Sequence, residues 1–147
     1  MKKYLIDTSV WILALKKDAS SSIKEKVKKL LKENFVGTFG MIKLELLGGV
    51  KSEKEFKRLR ERMEAFYEIP ATSELWEKAG EMSFKLKKKG ITIPYTDILI
   101  ATASLSENMT LVHADTHFEL IAKHFNLKTE NFLSLLKFLL KKPEVQF

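Results

Sequence analysis

Aspartate is rare in this chain, and most of its copies adjoin apolar segments. The 147 residues include 15 glutamates but only four aspartates, and Asp7, Asp97 and Asp115 each border an apolar run. Glu45 likewise has a leucine on either side. A carboxylate is costly to remove from water, so acids in such places need a physical reason. If the fold brings these four together, a bound cation would relieve their repulsion.

An all-oxygen ligand set of this kind indicates a particular class of ion and reaction. Carboxylates favour the hard cations Mg²⁺ or Mn²⁺ over zinc. Such an ion lowers the pKa of a bound water, orients it and offsets charge on a leaving oxygen, which is the chemistry of phosphodiester cleavage. Thr8 and Ser9 follow the first acid and add hydroxyls and backbone N–H groups at a predicted helix N-terminus, which suits an anion.

Each acid also has a purely structural explanation. Asp97 can be an acid in the first turn of a helix, favoured by the helix dipole. Asp7 and Asp115 can be N-caps of the helices that follow them. Glu45 can be a solvated residue on a partly exposed helix. Asp7 is the hardest to explain in this way, because apolar residues on both sides predict that it is buried.

Short strands and helices alternate along the chain and must position these acids. Strands are predicted at residues 3–6, 35–39, 67–69 and 110–113, with an edge strand at 127–129. Helices are predicted at residues 10–17, 20–34, 41–47, 52–66, 73–89, 94–107, 115–124 and 131–141. This alternation implies a three-layer α/β fold with a mostly parallel sheet of four to five strands. Asp7 and Asp115 then lie at the carboxyl-end rim, where ligands gather.

Composition indicates one cytoplasmic domain over residues 1–147. The chain has no cysteine, which excludes disulfide frameworks, thiol catalysis and cysteine-ligated metal sites. No apolar run approaches the roughly 18 residues of a membrane helix, so no membrane association is expected. Lys2 and Lys3 precede an apolar stretch as in a secretory signal, but Asp7 interrupts it. There is no internal repeat and no long linker.

Four segments in order give the sequence a resemblance to a known family. They are Leu5-Ile6-Asp7-Thr8-Ser9-Val10, Lys43-Leu44-Glu45-Leu46-Leu47-Gly48-Gly49-Val50, Thr96-Asp97-Ile98-Leu99-Ile100-Ala101-Thr102-Ala103 and Thr110-Leu111-Val112-His113-Ala114-Asp115-Thr116-His117-Phe118. The chain resembles a PIN-domain ribonuclease, most closely the toxin half of VapBC toxin–antitoxin pairs. The segments span residues 5–118, nearly the whole domain.

The resemblance implies an α/β/α fold and a metal-dependent endoribonuclease. By motif, Asp7, Glu45, Asp97 and Asp115 would bind Mg²⁺ or Mn²⁺ and support hydrolysis of RNA. Proteins of this kind usually form homodimers, and a cognate antitoxin silences them by inserting a segment near the site. A PIN-like RNA-processing nuclease without an antitoxin is an alternative within the same family.

The chain departs from the family pattern at three positions. His113 stands where many members have Thr or Ser, His117 where many have a further Asp, and Ser9 where Asn is frequent. The acid at Asp115 varies within the family. His117 could alter metal preference or pH dependence, but the simpler interpretation is a surface histidine at a helix start.

Charge and apolar residues are unevenly distributed. Residues 1–50 carry ten lysines against five acids, whereas residues 101–147 carry five bases and five acids. Excess lysine favours a polyanion such as RNA, but it is also typical of a solvated helix face, so no lysine is assigned to RNA. The last predicted helix is richer in apolar residues than one core stripe needs, which indicates a self-association or antitoxin surface, or burial within the monomer.

Two other classes of function remain open. An aspartyl phosphotransferase or phosphatase would use Asp7 as nucleophile, although such sites generally want a second Asp near the first and Asp7-Thr8-Ser9-Val10 lacks one. A non-catalytic module that binds nucleic acid or protein would need no intact acidic site. Trapping of a phosphoryl group on Asp7, or RNA cleavage that depends on metal, separates these classes from the nuclease.

Overall fold

Strands and helices alternate through the part of the chain that a computed structural model describes, residues 2–16 and 21–135. In chain order the elements are β1 (Lys3–Ile6), α1 (Thr8–Leu15), α2 (Ser21–Glu33), β2 (Phe35–Phe39), α3 (Gly40–Gly48), α4 (Glu53–Met63), β3 (Tyr67–Ile69), α5 (Ser73–Lys88), α6 (Tyr95–Ser106), β4 (Thr110–His113), α7 (Thr116–His124) and β5 (Thr129–Asn131). The predicted order of elements is confirmed from β1 to β5.

All five strands pair in parallel, in the order β3-β2-β1-β4-β5. Leu5 of β1 aligns with Gly37 of β2 on one side and with Leu111 of β4 on the other. A Cβ at Gly37 would lie 3.1 Å from the Met109 side chain and 3.2 Å from the Tyr67 carbonyl oxygen, so glycine allows this close approach. The prediction of a mostly parallel sheet of four to five strands is confirmed.

Helices cover both faces of the sheet. Leu5 and Ile6 are consecutive in β1 and both are fully buried, as are Leu111 and Val112 in β4. Because successive side chains of a strand point to opposite faces, both faces must be covered. Right-handed crossover connections place helices on both faces of the sheet. The chain moves from β1 towards β3 in one direction along the sheet and then continues to β4 and β5 on the other side of β1. The result is the predicted three-layer arrangement.

The strand order creates a topological switch point beside β1. The connection out of β1 leads to β2, whereas β4 lies on the opposite side of β1. At such a point the loops beyond the carboxyl ends of the two strands separate and leave a crevice for a ligand. Asp7 and Asp115 follow the two strands that border this crevice.

Local capping shifts several predicted boundaries. Thr72, rather than Ser73, caps α5, because its Oγ1 accepts a 3.1 Å hydrogen bond from the Leu75 N–H. The first helix begins at Thr8 rather than two residues later, since Asp7 caps it. The edge strand was predicted two residues too early, because Thr129 is the residue that pairs with Leu111.

Part of three predicted helices, 10–17, 20–34 and 131–141, lies outside the described residues. Residues 133–135 are helical, but 136–147 fall beyond the described range, so the apolar surplus of the last predicted helix stays a prediction. The same holds for an N-cap at Ser20. Within residues 2–16 and 21–135, no helix is long and apolar enough to cross a membrane.

Candidate metal centre

Asp7 lies where the central strand turns into a helix. It follows β1, caps α1 and is only 4% exposed. Its Oδ2 accepts hydrogen bonds from the Ser9 backbone N–H and hydroxyl, at 3.0 and 2.5 Å. The Ser9 hydroxyl in turn accepts a 3.0 Å hydrogen bond from the N–H of Ala114, which follows β4 and lies 105 residues away in sequence. Groups from the ends of both strands therefore fix this carboxylate.

Glu45 reaches the same rim from α3. This helix begins immediately after β2, and Glu45 lies in its second turn. Thr8 Oγ1 donates a 2.6 Å hydrogen bond to Glu45 Oε1, and the charge of Glu45 acts on Asp7. Glu45 is otherwise exposed. The expectation of a solvated residue is therefore correct for its exposure, but it does not account for the hydrogen bond from Thr8 that holds the side chain at the rim.

Asp97 and Asp115 come together around an imidazole ring. Asp97 lies in the first turn of α6, and Asp115 is the N-cap of α7. His117 Nδ1 lies 2.8 Å from Asp97 Oδ2 and 3.2 Å from Asp115 Oδ1. The His117 backbone N–H also donates a 2.9 Å hydrogen bond to Asp115 Oδ1. When both carboxylates are ionised they only accept hydrogen bonds, so Nδ1 is then the donor.

Burial concentrates negative charge at this rim. Burial raises the pKa of Asp7 above its ordinary value of 3.8, against the lowering effect of the Ser9 hydrogen bonds. Burial also raises the pKa of Asp97 to about 6, against the hydrogen bond from His117 and with further rises from the charges of Asp115 and Asp7. Carboxylates that are both desolvated and close to each other are stabilised in the charged form by a cation.

The structure thus brings the four sequence-predicted acids to one rim of the sheet. Direct electrostatic interactions join Asp7 to Glu45 and Asp97 to both Asp7 and Asp115. The capping explanations for Asp7 and Asp115 are also correct, since each accepts a hydrogen bond from the backbone two residues on. Capping leaves the remaining oxygen atoms of these carboxylates available, so the two roles are compatible.

Thr8 and Ser9 have a different use from the one that their sequence position indicated. Their hydroxyls were expected to suit a bound anion at the start of α1. In the structure both hydroxyls donate to carboxylates of the protein itself, Thr8 to Glu45 and Ser9 to Asp7. They orient the acids at the rim.

The two histidines flanking Asp115 are more involved than the sequence indicated. His117 lies at the start of α7 with its side chain 37% exposed, as a surface histidine would, but its ring also contacts Asp97 and Asp115. His113 is fully buried, with Nε2 2.7 Å from Glu119 Oε2 and Nδ1 accepting a 3.2 Å hydrogen bond from the Asp115 N–H. Thr129 of β5 donates to the same Glu119 oxygen. The sequence feature that could have indicated these contacts is the spacing of residues 113, 115 and 117, each two positions from the next.

These donors fit a divalent cation. Oxygen atoms of Asp97 and Asp115 and a ring nitrogen of His117 lie within 4.8 Å of one another. Carboxylates are ligands for Mg²⁺ and Mn²⁺, and imidazole is accepted by transition-metal ions. Asp97, which is half-buried and has a raised pKa, belongs to this group, and the charge of Asp7 acts on it. The arrangement can hold a cation in the crevice between β1 and β4.

Comparison with protein families identifies this arrangement. The family model described as the PIN domain matches residues 4–124. The chain belongs to the PIN-domain family. The match runs from β1 to the end of α7 and includes all four acids of the rim. The resemblance inferred from the four sequence segments is therefore confirmed.

This PIN domain is similar to proteins named as VapC ribonucleases. It is 27% identical over 113 residues to Ribonuclease VapC2 of Rickettsia felis, covering 74% of this chain and 84% of that protein. It is 30% identical over 123 residues to Ribonuclease VapC51 of Mycobacterium tuberculosis, covering 82% and 85%. The solved structure of VapBC2 from Rickettsia felis bound to a DNA fragment from their promoter aligns with a TM-score of 0.70 and 26% identity, over 88% of this chain and 98% of that one.

Proposed function

We propose that this chain is a metal-dependent endoribonuclease and the toxin component of a type II toxin–antitoxin pair. One observation carries the proposal: carboxylates from four separate segments meet at the switch point of a parallel sheet, two of them with pKa values raised by burial. The VapC relatives, which are named ribonucleases, support RNA as the substrate. We further propose that residues 1–147 form a single domain that acts in the cytoplasm.

Asp7, Glu45, Asp97 and Asp115 would hold Mg²⁺ or Mn²⁺. When bound, such an ion supplies a water of lowered pKa and offsets negative charge on the phosphate oxygens. Ser9 fixes the rotamer of Asp7, and Thr8 fixes that of Glu45, before any ligand arrives. Orientation in advance matters because a carboxylate that must reorganise during the reaction stabilises the transition state less.

An apolar groove beside Glu45 supports an antitoxin as partner. A cavity of about 300 Å³ lies among α1, α3 and α4. Two charged residues, Lys16 and Glu45, line it together with Gly49 and apolar side chains, Ile12, Leu15, Leu46, Val50 and Leu59. Ile12 and Leu15 are large apolar residues, yet they are 48% and 39% exposed to solvent. A segment bound here would cover apolar surface and lie next to the acidic rim.

A second apolar surface, between α5 and α6, supports homodimer formation. Trp76 and Tyr95 are 56% and 68% exposed, and they flank a cavity of about 260 Å³ whose floor includes Ala79, Gly80 and Leu99. Small residues beside large exposed rings allow a second helix to approach closely. We propose this face as the contact between two copies of the chain.

Removal of metal tests the central proposal. The purified full chain should cleave RNA in Mg²⁺ or Mn²⁺, lose cleavage in excess EDTA and regain it when the ion is restored, because the rim carboxylates cannot assemble the reaction without it. Gel analysis of end-labelled RNA measures this. Cleavage that persists in EDTA would reject the metal-dependent assignment, and a phosphoryl group trapped on Asp7 would support the phosphotransferase instead.

A further inference from the structure

His117 occupies the space between two carboxylates of the rim. Its Nδ1 lies 2.8 Å from Asp97 Oδ2 and 3.2 Å from Asp115 Oδ1. The backbone constrains the position of the ring, because the backbone N–H of His117 donates a hydrogen bond to Asp115 at the start of α7. The Asp97 side chain is only 14% exposed, so this contact of the ring is partly withdrawn from water.

We infer that His117 is itself a metal ligand, binding through Nδ1 beside Asp97 and Asp115, and that it makes the site prefer Mn²⁺ over Mg²⁺. The inference rests on the proposed function, which supplies the reason for an ion at this rim. It adds a nitrogen donor to a set of ligands that the four acids alone would make entirely of oxygen.

The spacing of the three donors is suited to ligation. An ion with bonds of about 2.1 Å in octahedral geometry places neighbouring donor atoms about 3 Å apart. The two distances from Nδ1 fall at this spacing, and all three donor atoms lie within 4.8 Å of one another. A cation could therefore replace the proton now shared by these atoms with little movement of the side chains. The imidazole proton would then be on Nε2, the other tautomer of the neutral ring.

Ligand chemistry gives the direction of the preference. Mg²⁺ is bound almost entirely through oxygen and keeps several waters, whereas transition-metal ions accept imidazole. Mn²⁺ favours carboxylate oxygen, as Mg²⁺ does, but as a first-row transition-metal ion it also binds nitrogen donors, so it suits a mixed set in which His117 joins Asp97 and Asp115. Replacing the ring by a third carboxylate should favour Mg²⁺ again.

Pulsed electron paramagnetic resonance of bound Mn²⁺ tests the nitrogen ligand directly. The full chain loaded with Mn²⁺ should show modulation from a directly bound ¹⁴N, and His117→Asp should remove it. His124→Gln is the matched control, since His124 is an exposed histidine at the other end of the same helix. Bound Mn²⁺ without nitrogen modulation, modulation that survives His117→Asp, or failure of Mn²⁺ to bind would each overturn the inference.

Ion selectivity provides a second measurement that does not depend on activity. The ratio of Mg²⁺ to Mn²⁺ dissociation constants, from calorimetric titration, should fall by about tenfold in His117→Asp and stay unchanged in His124→Gln. An unchanged ratio in His117→Asp would contradict the preference. RNA cleavage measured in parallel separates the two proposals: cleavage without nitrogen modulation refutes only this inference, whereas nitrogen modulation without cleavage refutes only the nuclease.

Discussion

The charges at the two ends of the parallel strands, the carboxyl edge and the amino edge of the central sheet, differ in sign and in exposure to water. At the carboxyl edge, Asp7 and Asp97 are largely withdrawn from water, and burial raises the pKa of both. At the amino edge, Lys2, Lys3 and Lys128 are exposed around a cavity of about 470 Å³. A neighbouring cavity of about 410 Å³ adds two more exposed lysines of α2, Lys26 and Lys29.

The comparison shows that the largest cavities and the most desolvated charges lie at different places in this protein. The lysine-lined cavities are larger than the groove beside Glu45, yet their charges remain in water and cost the fold little. The acids at the opposite edge are held in place by Ser9 and Thr8 although their mutual repulsion destabilises the free protein. Desolvated carboxylates that lie close to each other are what indicate a ligand.

The largest expected effect comes from removing one charge at the carboxyl edge. Asp7→Asn should lower RNA cleavage by a factor on the order of 10² to 10³, because the metal supplies several kcal/mol of transition-state stabilisation that needs this ligand. Asparagine is also a good N-cap and relieves repulsion, so the metal-free melting temperature should be equal or higher. Cleavage rates and thermal unfolding measure the two effects.

Lys128→Gln is the matched control at the amino edge. It removes one exposed charge and should change cleavage by no more than about twofold, since surface substitutions of this kind have small effects. Equal losses of activity in the two variants would break the distinction between the edges.

Metal binding should stabilise the protein through the carboxyl edge alone. An ion at 100 times its dissociation constant adds about 2.7 kcal/mol to the free energy of unfolding by mass action. Asp97→Asn should lose most of this gain, whereas Lys128→Gln should keep it. Thermal unfolding with and without Mn²⁺ measures the gain. An undiminished metal-induced shift in the Asp97 variant would place the ion elsewhere.

The pH dependence of stability should report the buried Asp97. In the fold the pKa of this carboxyl is about 6, above its ordinary 3.8, so between these values the folded chain binds more protons than the unfolded chain. Stability of the metal-free protein should therefore fall as pH rises from about 4 to above 6. At pH 7.5 in EDTA, Asp97→Asn should be more stable by roughly 1–2 kcal/mol, with the gain vanishing near pH 4. Denaturant unfolding at both pH values measures the difference. A variant that is no more stable at pH 7.5 would show that the ionised Asp97 carboxylate does not destabilise the fold.

The smallest effect is expected at the amino edge. Replacing Lys2 and Lys128 together by glutamine should change the free energy of unfolding by no more than about 0.5 kcal/mol. The Mn²⁺-induced stabilisation should be unchanged, because these lysines lie at the opposite ends of the strands. The same thermal assay measures metal binding by this double variant. Loss of binding would show that the metal does not depend on the carboxyl edge alone.

The sequence was sufficient to predict the elements from β1 to β5 and the four acids that the structure places at one rim. Apolar runs of strand length before Asp7 and Asp115, and the spacing of the helices between them, follow from local periodicity, which the structure confirms. Boundaries moved by one or two residues where a cap decided them, as at Thr72, because which hydroxyl reaches the backbone depends on the local turn.

Only the tertiary structure decided how the acids are connected. The contact of Thr8 with Glu45 and that of Ser9 with the backbone after β4 join residues 37 and 105 positions apart. Such contacts depend on the order of strands in the sheet, which local propensity does not encode. The engagement of His117 with Asp97 likewise depends on how α6 and α7 meet at the rim. Residue types and periodicity thus determined which chemistry was available, and packing decided which groups share the crevice.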